Sequence, residues 1–111
     1  GIQVIRANAR AHLFRSDQHC EIRTLSPLHL EKDVEFYQVR LKPAGTLRSA
    51  PHFERTREFV TVEQGRMRVH SADETIDLHK GDSASYRADV PHALENLGKT
   101  DALLFLVVIY Q

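Results

Sequence analysis

Cysteine is nearly missing from this chain: Cys20 is the only one in 111 residues. A lone thiol excludes an intrachain disulfide framework and fits a reducing compartment, so a cytoplasmic location is expected. Cys20 reads as a small buried apolar residue before a strand. A reactive thiol would need an activating neighbour, and only His19 is adjacent. An excess of charge is missing too. Fifteen Lys and Arg side chains balance fifteen Asp and Glu, for a formal net charge of zero. A nucleic-acid-binding surface would be markedly basic. Here Arg6, Arg10, Arg15 and Arg23 are scattered among other residue types, so no direct nucleic-acid contact is expected. No apolar run is long enough to cross a bilayer. The stretch DALLFLVVIY near the end falls far short of the ~20 residues that a spanning helix needs. No signal-peptide pattern opens the chain, and no membrane partner is expected. Repeats, low-complexity tracts and linkers are also lacking, so residues 1–111 are expected to form a single domain. The chain opens on Gly1 instead of Met, which suggests a domain taken from a longer protein.

Helical periodicity is a further absence. What replaces it is a series of short alternating segments broken by turn residues. Residues 2–6 alternate apolar and polar and read as a short strand, and 21–25 as another. Between them, 7–16 is ambiguous between a helical turn and a strand. Ser26-Pro27 and the run Glu31-Lys32-Asp33 mark a loop. VEFYQVRLKP is rich in aromatic and β-branched residues and is a clear strand, ended by Pro43-Ala44-Gly45. Then follow 57–63, a tight turn at Gln64-Gly65, RMRVHS, a turn, TIDLH, a turn at Lys80-Gly81-Asp82, and SASYRA. Residues 91–97 read as extended. LLFLVVIY reads as a last strand whose near-continuous apolar character implies burial on both faces. Such a pattern predicts an all-β sandwich or barrel.

Two stretches carry the polar chemistry. Residues 45–65 read GTLRSAPHFERTREFVTVEQG and place His52, Glu54 and Glu58 at one parity, continued by Val60 and Val62. On extended backbone these side chains would share a face. A carboxylate at Glu58, opening an apolar strand, is costly to bury unless paired or metal-bound. Arg55 and Arg57 have the opposite parity and are expected to face away. Residues 81–96 read GDSASYRADVPHALEN and supply His92, held extended behind Pro91. Imidazole and carboxylate groups meeting at one point can bind a divalent metal or a small polar ligand.

These two stretches resemble the two signatures of the cupin superfamily. Gly45, His52, Glu58 and Gly65 match the first, with Glu54 where that signature has its second His. Gly81-Asp82, Tyr86, Pro91-His92 and Asn96 are similar to the second, with Arg87 and Asp89 where Pro and Gly are usual. From Arg40 onward the chain also resembles the C-terminal cupin domain of bacterial helix-turn-helix regulators of the xenobiotic-response-element (XRE) type. The resemblance implies an antiparallel double-sheet jelly-roll barrel. It also implies a metal set of His52, Glu54, Glu58 and His92. Mixed nitrogen and oxygen ligands suit Zn, Fe, Mn or Ni without choosing between them. With Glu in place of His at position 54, the alternative is a site reused for an organic ligand.

Other positions stay open. Tyr86 either presents its hydroxyl at the pocket edge or packs in the core. Tyr37 and Arg40 have opposite parity, so at most one lines the barrel, and an inward Arg40 would select an anionic effector. His12, His19, His29, His70 and His79 are expected to be structural or exposed. Three functions are compatible with these residues. The first is a sensor domain that binds a small-molecule effector for a transcriptional regulator. The second is a small metalloenzyme of dioxygenase or isomerase type, although no separate general acid or base can be named. The third is a binding or oligomerisation module, in which the outward phase of Phe59 and Thr61 serves a homodimer.

Overall fold

The computed structural model describes residues 1–26 and 33–110. A short 3-10 turn, Arg10–His12, leads into ten strands: β1 (Leu13–Ser16), β2 (Cys20–Thr24), β3 (Val34–Leu41), β4 (Thr46–Ser49), β5 (Arg57–Gln64), β6 (Arg66–Ser71), β7 (Glu74–His79), β8 (Ser83–Arg87), β9 (His92–Asn96) and β10 (Ala102–Ile109). They form two antiparallel sheets. One has six strands in the order β1-β2-β3-β10-β5-β8, and the other four in the order β4-β9-β6-β7. The expected double-sheet β fold is therefore present, and no α-helix occurs among the described residues.

Alternation puts one apolar row per strand between the sheets. Val39, Leu41, Val60, Val62, Leu104, Leu106 and Val108 line the inner face of the larger sheet. Met67, Val69, Leu78 and Leu94 answer them from the smaller one. The lone thiol, Cys20, is fully buried in this core. At about 1.5–3 kcal/mol for each fully buried large apolar side chain, this layer is the main source of stability.

Several sequence expectations change here. Residues 2–6 form no strand. Only its end is tied down, where the Arg6 and Ala7 carbonyls accept hydrogen bonds from the Arg23 guanidinium of β2, a strand already paired on both sides. Alternation alone cannot make a strand without a neighbour to pair. Strand β4, a short TLRS segment that the sequence pattern does not single out as a strand, pairs with β9. Strand β10 is apolar on both faces but buried on one. Its residues alternate buried and half-buried, because its outer side meets no second layer among the described residues. Pro27, His29, Glu31 and Lys32 of the expected loop lie outside the described residues.

Two glycines are held by close approach. A Cβ on Gly45 would stand 2.5 Å from the His19 carbonyl oxygen and 2.8 Å from that of Lys42. Gly65 takes φ 82° at the β5–β6 turn, and a Cβ there would meet the Asp101 carbonyl at 2.9 Å. Gly45→Ala is therefore expected to destabilise the domain by about 1–3 kcal/mol, the usual cost of overpacking. Chemical denaturation checks this, with the midpoint falling and the slope unchanged.

At the opposite end from the polar cluster, Asn96 closes the barrel. It is buried and fully partnered: Nδ2 donates to the Leu41 and Thr100 carbonyls at 3.0 and 2.9 Å, and Oδ1 accepts from the Gly98 N–H at 2.7 Å. A buried amide with every group satisfied fixes register without a desolvation penalty.

Candidate metal centre

The two sheets bring His52, Glu58 and His92 together at one end of the barrel. One ligand atom from each lies within 4.8 Å of the others. Each arrives by a different route. Glu58 is the second residue of β5, on the inner face of the six-stranded sheet. His92 opens β9 in the facing sheet. His52 stands in the β4–β5 connection, where its backbone N–H donates to the Ala88 carbonyl at 2.8 Å. Both His92 and Glu58 side chains are nearly sealed from solvent, at 2% and 5% exposed, whereas His52 is 33% exposed. His52 thus marks the side from which the site is reached.

Glu58 is the hub. Its Oε1 accepts a hydrogen bond from the Tyr86 hydroxyl at 2.7 Å. Its Oε2 faces both imidazoles, 3.1 Å from His92 Nε2 and 3.3 Å from His52 Nε2. Tyr86 sits directly opposite Glu58 in the β5–β8 pairing, so strand register alone delivers this bond. Burial first, then the nearby Glu58 carboxylate, pushes the Tyr86 phenol well above its ordinary range, so it remains a donor. One oxygen is thereby anchored and the other is directed at the histidines.

His92 is oriented in turn. Its Nδ1 lies 2.7 Å from the Val90 carbonyl, which can only accept, so Nδ1 carries a hydrogen. A neutral ring would then present a bare Nε2 lone pair to Glu58 Oε2. Either a proton or a cation must stand between them. Burial by itself lowers the imidazole pKa, but the hydrogen bonds to Glu58 and Val90 and the Glu58 charge outweigh it. The pKa is raised above 6.5. An Nδ1–H on a backbone carbonyl with Nε2 facing inward is also the arrangement that metal-binding histidines use. On donor set and orientation, these three residues fit a divalent metal.

Glu54 does not join them. It is exposed, and the reason is local. Instead of one continuous strand, a turn intervenes, closed by the Thr56 N–H on the Phe53 carbonyl at 3.1 Å, with Arg55 at φ 67°. The turn breaks the two-residue period, and Glu54 points outward. The atypical Arg87 and Asp89 support this turn. Arg87 Nε donates to Asp89 Oδ1 at 2.9 Å, and the Arg55 N–H donates to Asp89 Oδ2 at 3.1 Å. Those bonds, Arg87 first, hold the Asp89 carboxyl below its ordinary range. Glu54→Gln is accordingly expected to change metal affinity by less than about twofold, because an exposed, displaced carboxylate adds only screened long-range charge. Metal titration of the purified variant checks this.

Arg40 is also displaced from the pocket. Val39 and Leu41 point into the core, so alternation sends Arg40 to the outer face, 3.7 Å from Asp101. Tyr37 is the member of that pair which turns inward, packed against the core. Tyr86 does both things that the sequence left open: it is buried in the core and bonds Glu58. Of the remaining histidines, His70 pairs with Glu95 at 3.0 Å and His79 lies 3.9 Å from Asp82. The sequence reading missed Glu35 and Tyr110, which are bonded to each other at the same end of the barrel. Their positions depend on cross-strand register, a non-local property.

Among protein families, the cupin domain profile matches residues 37–109. The chain is a cupin. Solved structures agree on the fold. An HTH_3 family transcriptional regulator from Vibrio cholerae superposes with a TM-score of 0.81 at 24% identity, covering 91% of this cupin and 57% of the regulator. This cupin therefore spans little more than half of that protein. The cupin domain of an XRE family transcriptional regulator from Enterobacter cloacae gives 0.78 at 21% identity, over 85% of this chain and 99% of that one. A predicted oxalate decarboxylase from Thermotoga maritima gives 0.70 at 21% identity, over 83% and 81%. None of the curated proteins matches the chain. No helix among the described residues is long and apolar enough to cross a membrane.

Proposed function

We propose that this cupin is the sensor domain of a bacterial transcriptional regulator, with a divalent metal held by His52, Glu58 and His92 and a small-molecule effector admitted beside His52. The observation that carries the proposal is the approach of two imidazole Nε2 atoms from separate segments to one carboxylate oxygen. Similarity to the cupin domains of two regulators supports the regulatory half. Zn, Fe, Mn and Ni all suit two nitrogens and one oxygen. Bound there, the metal would supply a Lewis-acidic anchor for a donor atom of the effector. The protein's own part is to orient His92 through Val90, anchor Glu58 through Tyr86, and leave His52 at the open side. An effector then acts on attached DNA-binding segments only through its different affinity for two arrangements of the whole protein. The lone buried Cys20 suits a cytoplasmic setting.

A homodimer belongs to this reading. The outer face of the six-stranded sheet carries a groove lined by Phe36, Phe59, Phe105 and Val107 and edged by Thr61, Ser83 and Ser85. A second copy, packed sheet to sheet, would cover a surface that β10 makes apolar without burying. Sedimentation at micromolar concentration is expected to show a dimer, and a monomer would remove this part.

Native mass spectrometry of protein purified without added metal tests the sensor reading. The expected result is a retained metal and a small-molecule adduct, with neither on His92→Ala. Retention of both by the variant would oppose it. A metalloenzyme remains the second reading, favoured by a three-ligand set that leaves coordination positions open. Oxygen uptake by the Fe-loaded domain on small thiols, diols or keto acids would promote it.

A further inference from the structure

A second inward-facing carboxylate lies one strand away from the metal-ligand group. In the register of the six-stranded sheet, Val108 pairs with Glu35 on one side and Glu58 on the other, and Glu58 pairs with Tyr86. Facing residues in antiparallel strands share a face. Glu35, Val108, Glu58 and Tyr86 therefore form one row across β3, β10, β5 and β8. Two strand spacings separate the backbones of Glu35 and Glu58, roughly 10 Å. Buried Val108 fixes the inner side of this row, and Glu35 is half-buried on it.

Two phenols, Tyr110 and Tyr37, stand beside Glu35. The Tyr110 hydroxyl donates to Glu35 Oε1 at 2.6 Å, and no ion pair links Glu35 to Lys, Arg or His among the described residues. Tyr37 stands two residues along the same face of β3, with Phe14 tilted against it at 6.2 Å. The Tyr110 ring meets His52 edge-on at 6.3 Å, which joins this group to the accessible ligand of the metal centre. Burial, and then the Glu35 charge, pushes the Tyr37 phenol up to about 12. Tyr110 is pushed up by burial and then by Glu35. Both phenols thus stay neutral and serve as donors and aromatic walls beside the Glu35 side chain.

We propose that Glu35, Tyr37 and Tyr110 form a cation subsite that receives a protonated amine on the effector, next to the metal-ligand group. A half-buried carboxylate with one oxygen directed by a tyrosine, and with no basic partner among the described residues, gains most from an organic cation. Aromatic side chains favour the same charge. The subsite assigns the effector's chemical class: a small molecule with an ammonium group at one end and a metal-seeking or hydrogen-bonding group at the other. This inference rests on the effector-binding reading above, although the subsite's charge preference can be measured without any metal.

The test uses three probes of one size, n-butylammonium, n-butanol and butyrate, titrated into the protein and followed by amide NMR. Butylammonium is expected to bind at least about tenfold more tightly than either other probe, the gain of one charge-assisted hydrogen bond. Shifts should centre on Glu35, Tyr37 and Tyr110. Glu35→Gln should abolish the preference and leave metal stoichiometry as it was. Equal affinities, a preference for butyrate, no binding by any probe, or an ammonium preference that survives Glu35→Gln would each overturn the subsite. Repeating the titration on His92→Ala separates the two ideas. An ammonium preference that persists there, in a variant without metal, supports the subsite independently of the metal centre. Metal retained by the wild type without any ammonium preference sinks the subsite alone.

Discussion

Replacing His92 with alanine is expected to strip the domain of metal while leaving it folded. In the proposed set His92 would supply one of the two nitrogen donors, and nothing else within reach among the described residues replaces it: Glu54 is turned outward and His70 is paired with Glu95. Loss of a ligand should exceed the ~10–100-fold that removal of an outer-shell partner costs. The fold should survive because β9 is paired on both sides, with β4 and β6. The variant gives up two hydrogen bonds, to buried Glu58 and to the part-buried Val90 carbonyl, at about 1–3 kcal/mol for the first and less for the second, against a typical domain stability of about 5–15 kcal/mol. Circular dichroism and metal analysis of the same sample read both halves.

The same histidine sets the pH dependence. Its folded pKa is raised above 6.5, so the metal-free domain holds a proton on His92 that the unfolded chain has already begun to release. The stability this lends is fully present below the unfolded value and is lost as pH rises through the folded one. Metal binding runs the other way, because the cation must displace that proton. Below the folded pKa of His92, apparent metal affinity should fall by about tenfold per pH unit. Isothermal titration in buffers of different ionisation enthalpy would detect the released proton.

Glu58→Ala should be the most destabilising substitution in the site. It removes the acceptor of Tyr86 and the partner of both histidines in one step. Breaking a buried pair by deleting one member costs about 3–5 kcal/mol, since the remaining groups stay buried and unmatched. For a domain of this size that corresponds to a loss on the order of 15 °C in melting temperature. Glu58→Gln keeps the volume and an acceptor for Tyr86. It should lose metal equally but cost markedly less stability. If the two variants melted together near the wild type, the carboxylate would not be the hub described here.

Some of this was legible in the chain and some was not, and the division has a physical cause. His52, Glu58 and His92 could be named because each sits in a locally recognisable stretch, beside a strand start or behind a proline. Parity puts Glu54 on the face of His52 and Glu58, but period two holds only along unbroken strand, and the positive φ of Arg55, which turns Glu54 outward, is invisible in residue types. Arg40 and Tyr37 could be separated only once Val39 and Leu41 were known to face the core. Strand β4 is short and polar, and it is a strand because β9 pairs with it. Glu35 and Tyr110 lie 75 residues apart and meet only through sheet register. Local pattern locates ligands within a segment, while pairing between segments decides which of them converge.

The most direct measurement is the metal content of the wild-type domain, purified without added metal and then titrated with Zn, Fe, Mn and Ni. The account predicts saturation at about one ion per chain for at least one of them, as a single two-nitrogen, one-oxygen set requires. Protein that arrives without metal and takes up none of the four would contradict it.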